Sequence, residues 1–170
     1  DKFKLDSNET VDTYMDLKIQ EFLKTLTTKH VTRYPDIKAA YHSLSEITQV
    51  SPVRLFLTAG ADVAISSVLH AIDIKQIHMN VPTYAMCQVY SHIHNIQAIP
   101  HDYELHENTF KRSYIKPNGA IYIAAPDSVT GTSISNVEIE EYCSRHTHVI
   151  LDETYATHDT CYHDIINKHD

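Results

Sequence analysis

Three short polar segments of this chain contain residue types that could bind a charged ligand. Gly60-Ala61-Asp62 opens the most regular helical repeat, where unpaired backbone N–H groups and a positive helix dipole favour a phosphate. Asp127 to Thr132 and Asp152 to Tyr155 each follow an apolar run. A carboxylate such as Asp152 at the end of a buried strand needs a partner, which could be a metal ion, a hydroxyl or a protonated ring nitrogen.

Purely structural roles are open for the same residues. Gly60 could make only a tight turn, Asp62 could only occupy a first helical turn, and Asp152 could cap the next helix. Tyr84 follows Pro82 at the start of a predicted helix, where its ring could either cover a flat ligand or pack in the core. The residues alone therefore leave both interpretations open.

Hydrophobic spacing predicts the elements that position these segments. Helical spacing predicts helices over 11–26, 37–47, 61–72 and 83–94, and a Ser-x-x-Glu capping box at Ser135 opens another that ends near His146. Short apolar runs predict strands over 53–57, 74–79, 96–99, 121–125 and 148–151. This alternation predicts an α/β fold, a three-layer α/β/α arrangement with a mainly parallel sheet. Ligands bind at the carboxyl ends of the strands in such sheets, where all three polar segments are expected.

Composition and charge narrow the classes of function. The 170 residues suit one domain, and 22 acidic against 14 basic side chains give a net charge of −8, which disfavours nucleic-acid binding. No apolar run is long enough to span a bilayer. Cys87, Cys143 and Cys161 are widely spaced, as in a reduced protein, so we expect a cytoplasmic location. The 13 histidines lack the paired spacings of zinc sites, so no metal site is predicted.

Six segments, taken in order, resemble those of one family: 5–9 (LDSNE), 33–36 (RYPD), 57–62 (LTAGAD), 81–84 (VPTY), 125–132 (APDSVTGT) and 152–155 (DETY). The chain is similar to the N-terminal part of a class I/II aminotransferase of pyridoxal-phosphate fold type I, in the histidinol-phosphate aminotransferase branch. The resemblance implies an N-terminal arm and helix at 1–35. It also implies that 36–170 is the N-terminal part of the cofactor-binding large domain.

The resemblance implies pyridoxal 5'-phosphate as the cofactor and assigns its contacts to residues of this chain. Gly60, Ala61 and Asp62 would take the cofactor phosphate on backbone N–H groups. Tyr84 would stack on the pyridine ring. Asp152 would pair with the pyridinium nitrogen and keep it protonated, so that the ring can accept the electrons of a carbanion.

Three further residues complete the implied site. Tyr155 would hydrogen-bond the phenolic oxygen of the cofactor, and Tyr34 would reach the cofactor phosphate of a partner subunit, which implies a homodimer. The family loop is NPNNPTG, whereas this chain reads APDSVTG, so Ser128 stands where an asparagine contacts the phenolic oxygen. The shorter serine could make that contact only through water or a shifted loop. Val129 replaces a proline that stiffens the turn.

The implied reaction transfers an amino group from an amino acid to a 2-oxo acid, as in amino-acid biosynthesis. The family lysine that forms a Schiff base with the cofactor is expected in a segment after Asp170, because Lys168 lacks the Ser-Lys context. We therefore predict no catalytic residue within these 170 residues and expect them to be inactive alone.

Three other interpretations are open. A histidine-rich metal-binding domain would require at least three His or Cys side chains to converge. A pyridoxal-phosphate-dependent decarboxylase or lyase of the same fold shares every motif named above. A degenerate paralogue without catalysis could instead act as a binding protein, which the changes at Ser128 and Val129 favour.

Overall fold

The structure is a computed structural model that describes residues 12–113, 115, 118–157 and 165. It divides into two compact units between Ala40 and Tyr41. Segment 5–9, Cys161 and Lys168, which the sequence interpretation used, lie outside the described residues. The boundary placed at residue 35 by resemblance stays a prediction. Among the described residues, no helix combines the length and apolar character that crossing a bilayer requires.

The first unit contains two short helices, α1 (Thr13–Leu23) and α2 (Thr28–Thr32). Helix α1 is therefore shorter than the helix that the apolar pattern predicts over 11–26. Asp12 is the N-cap of α1, because its carboxylate accepts a hydrogen bond of 2.8 Å from the backbone N–H of Met15. A side-chain cap of this kind fixes where a helix begins, which apolar spacing alone does not.

Helix α3 (Ile37–Thr48) runs across the boundary between the units and confirms the helix predicted over 37–47. The strand predicted over 53–57 is wrong, because the chain there forms a 3-10 turn at Pro52–Arg54 and then an irregular segment. Val53 is 91% exposed, so the apolar run is not a buried strand. Proline favours the first turn of a helix, and an apolar run becomes a strand only where another strand pairs with it.

A four-stranded parallel sheet forms the centre of the second unit. In chain order the strands of this unit are β1 (Gln76–Val81), β2 (Gln97–Asp102), β3 (Glu104–His106), β4 (Thr109–Lys111), β5 (Ala120–Ala124) and β6 (His148–Asp152). The strand order in the sheet is β2-β1-β5-β6. The segment between β2 and β5 contains a separate antiparallel hairpin, β3-β4. The four sheet strands confirm the runs predicted from residue 74 onward, with ends that differ by a few residues.

Helices cover both faces of this sheet. Helices α4 (Ala61–Ala71) and α5 (Met86–Ile93) pack on one face, and α6 (Asn136–Arg145) packs on the other. The first core comprises Ile65, Leu69, Ile77, Met79, Cys87, Ile96, Ala120, Tyr122 and Ala124. The second comprises Ile115, Ile121, Ile123, Ala125, Ile134, Ile139 and Ile165. The predicted three-layer α/β/α arrangement is confirmed, and β5 is buried along its whole length because both layers cover it.

The topology creates a crevice at the carboxyl ends of β1 and β5. The chain leaves β1 toward α5 on one face and leaves β5 toward α6 on the opposite face. Two adjacent parallel strands whose connections diverge in this way open a crevice between their carboxyl ends, and ligands of doubly wound sheets bind there. We therefore expect a ligand-binding site among the segments that follow these two strands and β6.

The capping box of α6 allows a direct test of this local structure. Ser135→Ala is expected to lower the free energy of unfolding by about 1 kcal/mol at neutral pH. The Ser135 hydroxyl accepts from the Glu138 N–H (3.2 Å), while the Glu138 carboxylate accepts from the hydroxyl (2.7 Å) and N–H (2.9 Å) of Ser135. These two bonds hold the pKa of Glu138 below its ordinary value.

Because the folded pKa is lowered, this stabilisation is present above the ordinary pKa of a glutamate and is lost as the pH falls through the folded value. The difference between wild type and Ser135→Ala in urea unfolding should therefore shrink at acidic pH. Ser144→Ala is the control, since the exposed Ser144 hydroxyl only donates to a carbonyl within the same helix. Equal losses for the two variants at neutral pH would contradict the capping role.

Candidate functional site

A pocket of about 70 Å³ lies where the ends of β5 and β6 meet the start of α4 and the turn before α5. Its lining residues are Ala61, Tyr84, Ala124, Pro126, Ser128, Asp152, Thr154 and Tyr155. Five of the eight residues predicted for the site line this one pocket: Ala61, Tyr84, Ser128, Asp152 and Tyr155. The prediction that the three polar segments come together is therefore confirmed for Ala61, Ser128, Asp152 and Tyr155, although Ala61 does not follow a strand as predicted.

Asp152 is the last residue of β6 and has partners on both carboxylate oxygens. Its Oδ2 accepts a hydrogen bond of 2.6 Å from the Tyr122 hydroxyl. Its Oδ1 accepts from the backbone N–H (3.0 Å) and the hydroxyl (2.6 Å) of Thr154. A carboxylate has about four acceptor positions, so these three bonds leave one for a donor in the pocket. The expectation that Asp152 is paired is confirmed, and its partners are a phenol and the following turn.

Tyr122 was missed by the sequence interpretation. It lies in the middle of β5, is 2% exposed, and belongs to the core that α4 and α5 cover. Burial and the hydrogen bond to Asp152 raise the pKa of Tyr122, so the phenol stays protonated and donates. The available signal was a tyrosine in a fully apolar strand, because a buried tyrosine hydroxyl needs a hydrogen-bond partner.

Helix α4 begins with an open N-terminus beside the pocket. Gly60 is its N-cap residue with φ +89°, and it provides no side chain to cap the N–H groups of the first turn. A Cβ added at Gly60 would meet no atom of the described residues within 4 Å, so that position beside the helix start is open. This geometry suits an anion, although the segment before Gly60 is not the strand that the sequence predicted.

Tyr84 and Asp62 form a second fixed pair at the edge of the pocket. The Tyr84 hydroxyl donates a hydrogen bond of 2.6 Å to Asp62 Oδ1. This bond, with desolvation of the phenol, raises the pKa of Tyr84 to about 12. The bond fixes the ring of Tyr84 in the pocket wall, and it gives the Asp62 carboxylate a partner in the protein.

The loop between β5 and α6 is organised by Asp127, which the sequence interpretation also missed. Asp127 is 2% exposed, and its carboxylate accepts from the Thr83 hydroxyl on one oxygen. The other oxygen accepts from the N–H groups of Val129 and Thr130, each at 2.9 Å, and from the Thr130 hydroxyl at 3.1 Å. The sequence signal was an aspartate at the start of a turn, because an aspartate carboxylate often accepts from the backbone N–H groups two and three residues ahead.

The remaining predicted residues are placed as follows. Ser128 is exposed on the Asp127 loop and lines the pocket, and Tyr155 is 43% exposed and lines it as well. Tyr34 belongs to the first unit and is fully exposed, so its role in a partner subunit stays a prediction.

The side chains of this pocket fit a flat aromatic ligand that carries a cationic ring nitrogen and a phosphate. Asp152 offers an anionic acceptor position, Tyr84 offers a fixed aromatic ring, and the start of α4 offers free N–H groups. None of the described residues that line the pocket is a lysine. Within the described ranges, no three His, Cys, Asp or Glu side chains come together in a way that could hold a metal ion.

Comparison with known proteins identifies the family. The family described as "Aminotransferase class I and II" matches residues 1–164. The chain belongs to this family. A relative named histidinol-phosphate aminotransferase, from Lactococcus lactis subsp. cremoris (strain SK11), is 30% identical over 166 residues. That match covers 91% of this chain and 45% of the relative, so the chain spans somewhat less than half of the relative's length.

Solved structures show the same fold. A histidinol-phosphate aminotransferase from Sinorhizobium meliloti, solved in complex with pyridoxal-5'-phosphate, superposes with a TM-score of 0.68 at 15% identity, over 88% of this chain and 43% of that one. L-threonine-O-3-phosphate decarboxylase from Porphyromonas gingivalis superposes with a TM-score of 0.69 at 15% identity, over 86% of this chain and 45% of that one. The fold type I architecture implied by the resemblance is therefore confirmed.

Removal of the Asp127 carboxylate should destabilise the fold strongly. Asp127→Ala is expected to lower the free energy of unfolding by about 3 kcal/mol, because several donors of the loop and the Thr83 hydroxyl lose a charged acceptor at once. Urea unfolding of the purified chain measures this loss. Asp73→Ala is the control, since the Asp73 side chain is 98% exposed and its removal should change stability by less than about 0.5 kcal/mol. Similar small losses in both variants would show that Asp127 does not organise the loop.

The Tyr84–Asp62 bond predicts a pH-dependent signal. Tyr84 should ionise at about pH 12, and Asp62→Ala should lower that pH, because the variant loses both the acceptor and the negative charge that oppose phenolate formation. NMR titration of ¹³Cζ-labelled tyrosine measures it, with the Tyr84 signal assigned from Tyr84→Phe. Asp102→Ala, at the exposed end of β2, serves as the control. An unchanged Tyr84 titration in Asp62→Ala would contradict the bond.

Proposed function

We propose that this chain forms the cofactor-binding part of a pyridoxal-phosphate-dependent aminotransferase, which transfers an amino group from an amino acid to a 2-oxo acid. The observation that carries the proposal is the Asp152 carboxylate, which faces the pocket with one acceptor position left free. Family membership over residues 1–164 supports the same conclusion.

The chain's residues would hold the cofactor at three points. The free N–H groups at Gly60, Ala61 and Asp62 would bind the phosphate, where the helix dipole adds to the attraction. The ring of Tyr84, fixed by its bond to Asp62, would cover the pyridine ring. Asp152 would accept a hydrogen bond from the pyridinium nitrogen at the opposite end of the pocket.

The cofactor, when bound, supplies the electron sink for chemistry at the substrate's α-carbon. The role of Asp152 is to hold a proton on the ring nitrogen, since a carboxylate next to that nitrogen stabilises its protonated form. Tyr155 lines the pocket and would donate its hydroxyl to the cofactor's phenolic oxygen. Ser128 lines the pocket beside it, and its shorter side chain makes Tyr155 the principal donor.

The name of the Lactococcus lactis relative supports a narrower proposal for the whole protein. We infer that one of the substrates is an imidazole-bearing phosphate such as histidinol phosphate, and that the enzyme works in cytoplasmic amino-acid biosynthesis. The exposed Tyr34 supports a homodimer in which it reaches the partner's phosphate site.

A decarboxylase is the second candidate. The fold of L-threonine-O-3-phosphate decarboxylase superposes on this chain as well as that of the aminotransferase does. Residues that hold the cofactor do not separate the two reactions. Assay of the intact gene product separates them: an aminotransferase converts a 2-oxo acid acceptor into an amino acid without release of CO₂, whereas a decarboxylase releases CO₂ and needs no acceptor.

Binding of a cofactor analogue tests the proposal on the chain itself. The probe is 4'-deoxypyridoxine 5'-phosphate, which keeps the ring nitrogen and the phosphate but has no aldehyde to react with surface lysines. Isothermal titration should detect binding, and Asp152→Asn should weaken it about tenfold to hundredfold through loss of a charge-assisted hydrogen bond.

Asp102→Asn is the matched control, because Asp102 ends strand β2 at the opposite edge of the sheet and does not line the pocket. Its affinity for the probe should equal that of the wild type. The absence of measurable binding to the wild-type chain, or equal binding by Asp152→Asn, would refute the assignment of the pocket to this cofactor.

A further inference from the structure

We propose that Tyr122 is a positioning residue that holds the Asp152 carboxylate in the orientation required by the cofactor's ring nitrogen. This inference rests on the proposed function and extends it to a residue that lies outside the pocket. Tyr122 is not among the residues that line the pocket, and it acts only through Asp152.

The backbone of the sheet brings the two side chains together. Strands β5 and β6 pair in parallel, with Tyr122 opposite Ile150 and Ala124 opposite Asp152. Tyr122 therefore lies two residues before the strand end, and its long side chain reaches forward, toward the carboxyl end of the sheet, to the carboxylate at the end of β6. The resulting bond between the hydroxyl and Oδ2 is 2.6 Å long.

The surroundings of the bond fix which atom carries the proton. Tyr122 lies in a core with the fully buried Cys87 and Met79, and burial raises the pKa of the Cys87 thiol to about 12. Burial also raises the pKa of the Tyr122 phenol. The Tyr122 phenol and the Cys87 thiol therefore both stay protonated at neutral pH. Tyr122 is the donor of the bond, and the Asp152 carboxylate is the acceptor.

Two sets of donors then prevent the carboxylate from rotating. Tyr122 holds Oδ2 from inside the core, while the N–H and hydroxyl of Thr154 hold Oδ1 from the turn. The remaining acceptor position has a set direction before any ligand binds. An acceptor that is already oriented loses little conformational entropy on binding, so more of the hydrogen-bond energy appears as affinity.

The test compares two probes that differ only at the ring nitrogen. One is 4'-deoxypyridoxine 5'-phosphate, and the other is its benzene analogue, in which a C–H replaces the nitrogen. The ratio of their dissociation constants measures recognition of the nitrogen and cancels effects on the phosphate site. Tyr122→Phe should reduce the wild-type ratio about fivefold to tenfold, because the carboxylate loses the donor that orients it.

Two variants control this measurement. Tyr142→Phe removes the same hydroxyl from a half-buried tyrosine packed in the core on the opposite face of the sheet, and it should leave the ratio unchanged. Asp152→Asn should abolish the preference for the nitrogen. In the double variant Tyr122→Phe/Asp152→Asn, the loss of the hydroxyl should have no further effect on the ratio, since Tyr122 acts through Asp152.

The outcomes separate the two proposals. If the wild type prefers the nitrogen probe, Asp152→Asn does not, and Tyr122→Phe behaves as the wild type, the role of Tyr122 is overturned and the proposed function stands. If the wild type shows no preference, the proposed function fails and the role of Tyr122 fails with it. If Tyr122→Phe weakens both probes equally, Tyr122 serves the fold alone and the inference is wrong.

A ligand-free measurement keeps the test independent of probe binding. In urea unfolding, the single variants Tyr122→Phe and Asp152→Ala each remove one partner of the same bond, so their effects should not multiply. We expect the unfolding equilibrium constant of the double variant to fall short of the product of the single effects by about fivefold. Multiplicative effects would show that the bond does not exist in the folded chain and would overturn the inference.

Discussion

A single buried carboxylate holds together the two strand ends on which the pocket depends. Asp127 lies in the loop after β5 and accepts from Thr83, which follows β1, so one side chain joins the segments on either side of the crevice. Burial of an ionised carboxylate without hydrogen-bond partners costs free energy, so the loss of one partner destabilises the folded loop. Its donors must therefore stay together, and with them the loop that carries Ser128 and Pro126 into the pocket wall.

The same principle recurs at the other two acids of the site. Asp152 is held by Tyr122 and Thr154, and Asp62 is held by Tyr84, each through a hydrogen bond of 2.6 Å. These bonds orient the polar groups of the pocket without a ligand, so binding does not have to order them. The carboxylates differ in whether they keep an acceptor position for a ligand. Asp127 is buried in its own loop, whereas Asp152 retains an acceptor position that faces the pocket.

Local sequence signals predicted the elements well, and contacts between distant segments explain what they missed. The helices α3 and α4 and the Ser135 capping box follow from residues within a few positions of one another, as do the buried strands. The apolar run at 53–57 failed as a strand because pairing with a neighbour, not apolar character, makes a strand. The Tyr122–Asp152 and Thr83–Asp127 bonds were missed because they join residues 30 and 44 positions apart, and no local pattern reports such a contact.

The departure of this loop from the family pattern NPNNPTG at Val129 leaves the turn held by hydrogen bonds to Asp127. A proline at position 129 would stiffen the turn but has no N–H to donate. Val129 lacks that stiffness, yet its N–H bonds Asp127 Oδ1 at 2.9 Å, and the Gly131 N–H closes the turn onto the Asp127 carbonyl at 2.9 Å. One constraint has replaced another, and the loop keeps its place at the pocket. The exposed Ser128 is the change that alters the pocket's own chemistry, and it leaves the Asp127 network intact.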